Sequence, residues 1–366
     1  MPKLIRNSKA PIIIAICLAL LTCKTNSVYG AAFSYKLPDN SQRIAGSVGP
    51  NSVVADTAPT TGMNIGIDIA AGALSNFALT KSKIDENVDR RLNTQAKPIN
   101  QIDPKAITVV GISQYYRPKK QDTLLDIARK FNLGFHELTS LYPNIDPWFP
   151  PKGSKLLIPT CWILPETKKS GIVVNVPEMR LYLFLSAIHM VTTYPVALGD
   201  PEWVTPVGLF FVEAKRKNPT WHIPESLQKE YGITSMPPGP DNPLGTHCLN
   251  LSPGDYRIHG TPQPWGVGRL VSHGCIRLYP EDIVELYKLV PVGTPVEIVY
   301  DPVKIGFKGG RIFIEVHHDI YRRIPNLLQY AIDKISAKGL RYKVDSKKVT
   351  LAVRKKEGIP VDVTQD

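Results

Sequence analysis

The sequence predicts an α+β protein: a small unit of strand, two short helices and strand, then a β-rich domain, then a C-terminal α/β extension. Three observations predict this. Short β patterns recur from about Gly171 onward, divided by turn residues such as Thr205-Pro206 and Pro237-Pro238-Gly239-Pro240. Between Gln114 and Thr160 the apolar residues instead take helical spacing, at Leu124, Leu125, Ala128 and Phe131. Proline supplies 33 of the 366 residues, near twice its usual ~5%, and at that density it excludes a long helical bundle or coiled coil. A hydrophobic fraction of 43% is enough for packed cores and excludes wholesale disorder. The length corresponds to roughly two or three domains.

Residues 1–30 read as a secretory signal. Lys3, Arg6 and Lys9 lead into the uncharged stretch Ala10 to Leu21, which is shorter than the ~20 residues a bilayer-spanning helix needs. Val28 and Gly30 offer small residues three before and one before a cut ahead of Ala31. An uncleaved anchor is the alternative, and Leu20-Leu21-Thr22-Cys23 loosely resembles a lipobox, with Thr22 a poor residue there. Cleavage brings the formal charge from +12 to about +8, a balance that suits an anionic partner or surface. It also leaves Cys161, Cys248 and Cys275, an odd number in a compartment that permits disulfides. Five cysteines in the whole chain are too few for a disulfide-built fold.

Residues 31–105 are low in aromatics and read as linker, with a strand near Ile65–Ile69. The unit at 110–160 opens with a strand at Tyr115-Tyr116-Arg117-Pro118. Asp122-Thr123 cap a first helix, a second runs from Gly134 to Leu141, Pro143-Asn144 turn the chain, and Lys155–Pro159 close with a strand. The β-rich domain at 165–301 carries strands at Ile172–Val176, Met179–Leu185, Val191–Ala197, Gly208–Glu213 and Val296–Tyr300. Its clearest helix runs from Pro280 to Val290, with Ile283, Leu286, Tyr287 and Val290 on one face. The extension at 302–366 reads as a strand (Arg311–Val316), an amphipathic helix (Ile324–Ala337) and a final strand near Val349–Val353.

The chemistry lies in Ile258-His259-Gly260-Thr261 and Ser272-His273-Gly274-Cys275-Ile276-Arg277. The loop between them contains Pro262, Pro264, Gly266 and Gly268, and it can fold back to bring His259 beside Cys275. A thiol with an ordinary pKa of about 8.5 is mostly protonated at neutral pH. A neighbouring imidazole can take that proton and release a nucleophile for acyl transfer. Small residues around the cysteine let backbone N–H groups converge on a developing oxyanion. A structural zinc needs four ligands, and His259, His273 and Cys275 are three. A catalytic zinc with a water is the competing use of that set. The glycine-rich loop is no phosphate cradle, because it lacks Gly-Lys-Ser/Thr and a following helix. His317-His318-Asp319 invites a metal reading, but a strand ending in polar residues accounts for it.

These residues resemble the signature of the L,D-transpeptidase (YkuD-type) family. The resemblance extends to Thr205-Pro206-Val207-Gly208, Asn218-Pro219-Thr220-Trp221 and Asn242-Pro243-Leu244-Gly245, and covers about Gly171 to Tyr300. Asp122-Thr123-Leu124, Asn144 and Leu157-Ile158-Pro159 resemble a LysM domain, a module that binds N-acetylglucosamine polymers, with Gln121 standing where that family usually has glycine. The first resemblance implies an acyl-enzyme formed on peptidoglycan tetrapeptide stems. Cys275 would attack the carbonyl before the terminal D-alanine, which leaves. The acyl group would pass to a second stem or to the lysine of an outer-membrane lipoprotein. A hydrolase on the same scaffold and a non-catalytic wall-binding module are the alternatives. His259 would be the base, oriented by the Gly260 carbonyl. The amides of His273, Gly274 and Cys275 would form the oxyanion hole, and His273 would line the site. Arg277, Ser272 and Thr261 are expected to bind substrate; for Arg277 the competing role is an ion pair with Glu281 or Asp282. Asp122, Thr123, Leu124 and Asn144 are the expected glycan contacts. No cofactor, metal or nucleic acid is expected, and the leader places the protein in the periplasm or cell wall, membrane-anchored if that leader is uncleaved or lipidated. Cys161 and Cys248 either pair, leaving Cys275 as the odd thiol, or stay as two free thiols.

Overall fold

A nine-stranded mixed sheet organises the molecule, and its outermost strand comes from a segment that reads as linker. The structure, a computed structural model, describes residues 33–36 and 107–366; of the first segment only the Tyr35 side chain is described. The signal at 1–30, most of the linker and the strand near Ile65–Ile69 lie outside the described residues. In chain order the strands are β1 (Phe33–Lys36), β2 (Gly171–Asn175), β3 (Arg180–Leu185), β4 (Met190–Pro195), β5 (Gly208–Lys217), β6 (His247–Ser252), β7 (Arg257–His259), β8 (Ile276–Arg277) and β9 (Pro295–Val299). Across the sheet they lie in the order β1-β4-β3-β2-β9-β5-β6-β7-β8. β1 adds antiparallel to β4, Phe33 opposite Thr193, and so corrects the expectation of linker there: an alternating Phe-Ser-Tyr-Lys segment covers the backbone groups of an open edge.

The helices are α1 (Leu124–Lys130), α2 (Phe135–Leu141), α3 (Glu225–Tyr231), α4 (Pro280–Leu289), α5 (Leu327–Ala337) and α6 (Ser346–Lys355). Thr123 caps α1 by accepting from the Asp126 amide, while the Asp126 carboxylate accepts in return from Thr123. The strand Gln114–Tyr116 pairs antiparallel with Leu156–Ile158, so residues 114–158 run strand, helix, helix, strand.

Successive residues of β2 enter different cores, because strand side chains alternate between faces. Ile172 and Val174 join Leu249, Leu251, Ile258, Ile276 and the α4 residues Ile283 and Leu286 on one face. Val173, with Tyr182 and Phe184, packs on the other face against Leu124, Ile127, Leu138 and Trp162. The small unit is therefore one wall of the sheet's second core, and all described residues fall in a single compact unit.

A buried charge network joins the small unit, the sheet and the C-terminal extension. Arg180 pairs with Glu137 at 2.6 Å and lies over the Trp162 ring, whose N–H donates to Glu137. The Lys304 ammonium sits 2.7 Å from Glu178 and 2.8 Å from Glu315, and donates to the Ile163 carbonyl. His317 reaches Glu315 at 2.8 Å. Glu178, Glu315 and His317 are close enough to hold a cation, and the ammonium of Lys304 already neutralises both carboxylates. Asp319 accepts from the Arg323 and Ile324 amides and shapes a turn.

The extension departs from expectation in three places. Val349–Val353 is not a strand but the middle of α6. Asp345 accepts from the Lys347 and Lys348 amides to start that helix, and Val349, Ala352 and Val353 form its buried stripe. The β-branched residues that suggested a strand are spaced for a helix face. The final strand is Val361–Asp362, paired with Arg311–Val316, which also pairs with an unforeseen strand at Val303–Lys308. α5 starts at Leu327 rather than Ile324, because Asn326 after Pro325 caps it through the Gln329 amide.

Candidate active site

Two short parallel strands set the geometry. Ile258 lies opposite Ile276 and His259 opposite Arg277 in the β7–β8 pairing. Both isoleucines are buried in the core, so period-two alternation sends Arg257, His259 and Arg277 to the other face, with Cys275 two residues before Arg277 on the same side. The thiol and the imidazole thus stand on neighbouring strands, offset by two positions. On the other side of β7, β6 places Cys248 opposite His259 and Asn250 opposite Arg257. The loop between His259 and Cys275 does fold back, and the small unit helps to hold it. The Phe135 amide donates to the Val267 carbonyl at 3.1 Å, and a Cβ on Gly268 (φ +80°) would lie 2.3 Å from the Phe135 nitrogen.

His259 is 2% exposed and its Nδ1 lies 2.7 Å from the Gly260 carbonyl. A carbonyl can only accept, so Nδ1 carries the proton and Nε2 keeps its lone pair. Burial, reinforced by Arg277, lowers the ring's pKa to about 3, against the Gly260 carbonyl, which favours the charged form. The imidazole is therefore neutral at neutral pH. Burial pushes the Cys275 thiol up, and Arg257, followed by Arg277, pulls it down. At rest the two groups are a thiol and a neutral imidazole.

The loop Ser272–Cys275 is braced from several directions. Ser272 Oγ donates to the Cys275 carbonyl at 2.5 Å. Gly274 has φ +91°, and its carbonyl accepts from Thr205 Oγ1 at 3.1 Å. That hydroxyl oxygen accepts from the Gly199 amide at 2.9 Å. Tyr321, from the C-terminal extension, donates its hydroxyl to the Gly199 carbonyl at 2.6 Å and accepts from the Thr205 amide at 3.2 Å. Among the described residues no acceptor is paired with the amides of His273, Gly274 or Cys275, which leaves three successive donors for an oxyanion. His273 is exposed and meets the Trp203 ring edge-on at 5.5 Å.

Several expected contacts take other roles. Ser272 is 1% exposed and its hydroxyl serves its own loop, so it braces Cys275 and does not face substrate. Thr261 is also buried and accepts from the Gln263 amide at 3.0 Å. Arg277 has no ion pair with Glu281 or Asp282. Glu281 binds Arg129 through two 2.8 Å contacts, and burial beside Glu281 and Glu285 holds the Asp282 carboxyl well above its usual range. Arg277 instead lines a cavity of about 250 Å³ with Thr261, Gln263 and Trp265. In the small unit Leu124 is wholly buried, and Asp122 accepts from the Tyr116 hydroxyl and the Lys119 amide, so both hold the fold. Thr123 borders a groove of about 350 Å³ with Asp126, Trp148 and Trp265; both tryptophans are 57% exposed. Asn144 is exposed and does not line that groove. Cys161, Cys248 and Cys275 are all free thiols.

Sequence reasoning missed Arg257, Trp203 and Tyr321. Arg257 was within reach, since residue i−2 on a strand shares the face of His259. Tyr321 left no local signal, because its contacts are more than a hundred residues away in sequence.

A family model described as the L,D-transpeptidase catalytic domain, YkuD, matches residues 169–298. The probable L,D-transpeptidase YcfS of Escherichia coli strain K12 is 34% identical over 279 residues, 72% of this chain and 87% of that protein. The probable L,D-transpeptidase ErfK/SrfK of the same organism is 34% identical over 282 residues, 72% of this chain and 90% of its own length. Among solved structures, L,D-transpeptidase 3 of Mycobacterium tuberculosis covers 42% of this chain and 73% of its own, at 18% identity and a TM-score of 0.28.

Proposed function

The chain belongs to the L,D-transpeptidase family, and we propose that the face formed by Arg257, His259, Cys275 and Arg277 carries its acyl transfer on peptidoglycan. The observation that supports this most is the pairing of β7 with β8, which leaves Cys275 and a neutral imidazole, its Nδ1 tied to Gly260, on adjacent segments two register positions apart. Cys275 Sγ attacks the carbonyl preceding the terminal D-alanine of a tetrapeptide stem while His259 Nε2 takes the thiol proton. The amides of His273, Gly274 and Cys275 hold the oxyanion. His259 then returns the proton to the leaving nitrogen, D-alanine departs, and a thioester remains on Cys275. An acceptor amine attacks that thioester, gives its proton to His259, and the sulfur leaves to become a thiol again. Arg257 and Arg277 offset the charge that builds on sulfur.

A second stem is the acceptor in this reading, with a lipoprotein lysine as the competing acceptor. The unit at 110–160 serves as a LysM-like module that takes a glycan strand over Trp148 and Trp265. The leader exports the chain to the periplasm or cell wall, where the basic mature protein meets a polyanionic polymer. Incubating the protein with defined tetrapeptide muropeptides, followed by mass spectrometry, tests all of this. Cross-linked dimers and free D-alanine are expected. Free tripeptide without dimer makes the protein a hydrolase, and turnover retained by Cys275→Ala removes the thiol from the mechanism.

A further inference from the structure

Beside the site runs a second, strongly basic cleft of about 530 Å³, lined among others by Arg216, Lys217, His222, Asn250 and Arg257 and by no acidic residue. β5, β6 and β7 supply its floor: Arg216 lies opposite Cys248, and Asn250 opposite Arg257. None of Arg216, Lys217 and Arg257 forms an ion pair with a described acid. Arg257 Nη1 donates to the Asp255 carbonyl at 3.1 Å, and its side chain also reaches the Cys275 thiol. Three cations gathered in one concavity without counter-charge repel one another, an arrangement suited to an anionic ligand.

We propose that this cleft is the subsite for the carboxylate of the departing residue, with Arg257 as its anchor. The proposal rests on the transpeptidase reading and deepens it. In a tetrapeptide donor the terminal carboxylate is separated from the scissile nitrogen by a single Cα. That carboxylate must therefore lie within about one residue length, roughly 3.5 Å, of the leaving nitrogen, with its partner one hydrogen bond of about 2.8 Å beyond it. Continuing the β7–β8 register by one step sets Arg257 opposite Cys275, and its side chain reaches that thiol, so a guanidinium stands next to the reacting sulfur. Arg277 opens into the other cavity, with Trp265 and Gln263, so the two arginines separate the two ends of the donor. A guanidinium binds a carboxylate through two parallel hydrogen bonds, and a peptide bond continuing the chain removes that fork. The cleft would thereby select stems that end one residue past the cut.

The test compares a tetrapeptide donor ending in a free acid with the same peptide ending in a carboxamide. Wild type, Arg257→Gln and Arg257→Lys are measured both by kcat/KM and by equilibrium binding to the corresponding Cys275→Ala proteins. Wild type is expected to favour the acid by about 10- to 100-fold. Arg257→Gln is expected to bring the ratio to about threefold or less, and Arg257→Lys to keep part of it. The pull of Arg257 on the thiol acts on both peptides alike and cancels in the ratio. A wild-type ratio near one, or a ratio that survives Arg257→Gln in a folded protein, overturns the proposal. A normal binding ratio without turnover would support the cleft and count against the transpeptidase reading instead.

Discussion

Tyr321→Phe removes one hydroxyl from a segment outside the catalytic strands and tests how the loop at Cys275 is held. The lost oxygen sits 2.6 Å from the Gly199 carbonyl and 3.2 Å from the Thr205 amide. Thr205 is wholly buried, so no water replaces the partner of its amide. Leaving a buried group unpaired costs ~1–3 kcal/mol; about 2 kcal/mol is a fair figure for this change. The Thr205 hydroxyl in turn holds the Gly274 carbonyl at 3.1 Å, between two of the amides assigned to the oxyanion. If that strain is relieved by displacing the loop, about 2 kcal/mol corresponds to roughly 30-fold in rate. Acylation by a tetrapeptide stem, read as D-alanine release by mass spectrometry, should slow by about 10- to 30-fold, with KM for that peptide within about twofold. Thr205→Ser keeps the hydroxyl bridge and should recover most of the rate that Thr205→Val loses. A Tyr321→Phe protein that melts earlier but acylates at the wild-type rate refutes the brace and leaves the tyrosine a packing residue.

Other consequences can be measured in parallel. His259→Ala should lower kcat/KM by about 10²–10⁴-fold. Because burial depresses the ring's pKa to about 3, acylation by the wild type should stay flat from pH 7.5 to 5.5; a fall centred near 6.5 would mean an ordinary, hydrated imidazole. The same burial, with His136 lowered to about 4, makes the unfolded chain bind more protons below pH 6.5. Stability from both rings is then whole above that pH and declines as pH drops toward 4 and 3; denaturant titrations at pH 7 and 5 should show the decline, and His136→Gln should reduce it. Lys304→Met strands Glu178 and Glu315 and should cost about 3–5 kcal/mol in urea unfolding; a loss under 1 kcal/mol would show that solvent reaches the carboxylates. Trp148→Ala should weaken calorimetric binding of N-acetylglucosamine oligomers several-fold, and an unchanged affinity would remove the groove from glycan recognition.

The adjacency of the His259 and Cys275 segments was legible because its determinants are local: His259, Gly260 and Ser272–Arg277 lie within one short stretch, and the glycines of the intervening loop announce a reversal. β2, β3 and β4 were legible for a different reason, since largely apolar runs buried on both faces look the same wherever they occur, while β9 shows the alternation of a strand with one buried face. β6 and β7 were passed over because Cys248, Asn250, Arg257 and His259 occupy every second position, although that alternation is itself the strand signal. In α6 the residues Val349, Thr350 and Val353 favour strand locally, and the Asp345 cap with burial of one stripe outweighs that preference. The free state of Cys161 and Cys248 could not be deduced from counting thiols. Ser272 looks like a substrate contact in a motif, and only three-dimensional placement shows its hydroxyl bonded within its own loop, whereas Thr261 borders the cavity that Arg277 lines.

The wall that Leu124, Leu138 and Trp162 build against Val173, Tyr182 and Phe184 limits how the chain can be divided. Cutting out residues 169–298 would lay bare an oily sheet surface and leave Arg180 and Glu178 as orphan ions in it. Such a fragment should precipitate or recruit a surrogate, whereas a cut that keeps 107–366 together preserves every one of these joints. Transplanting the small unit onto another enzyme would likewise demand that its new host supply an arginine and a tyrosine where this sheet provides Arg180 and Tyr182.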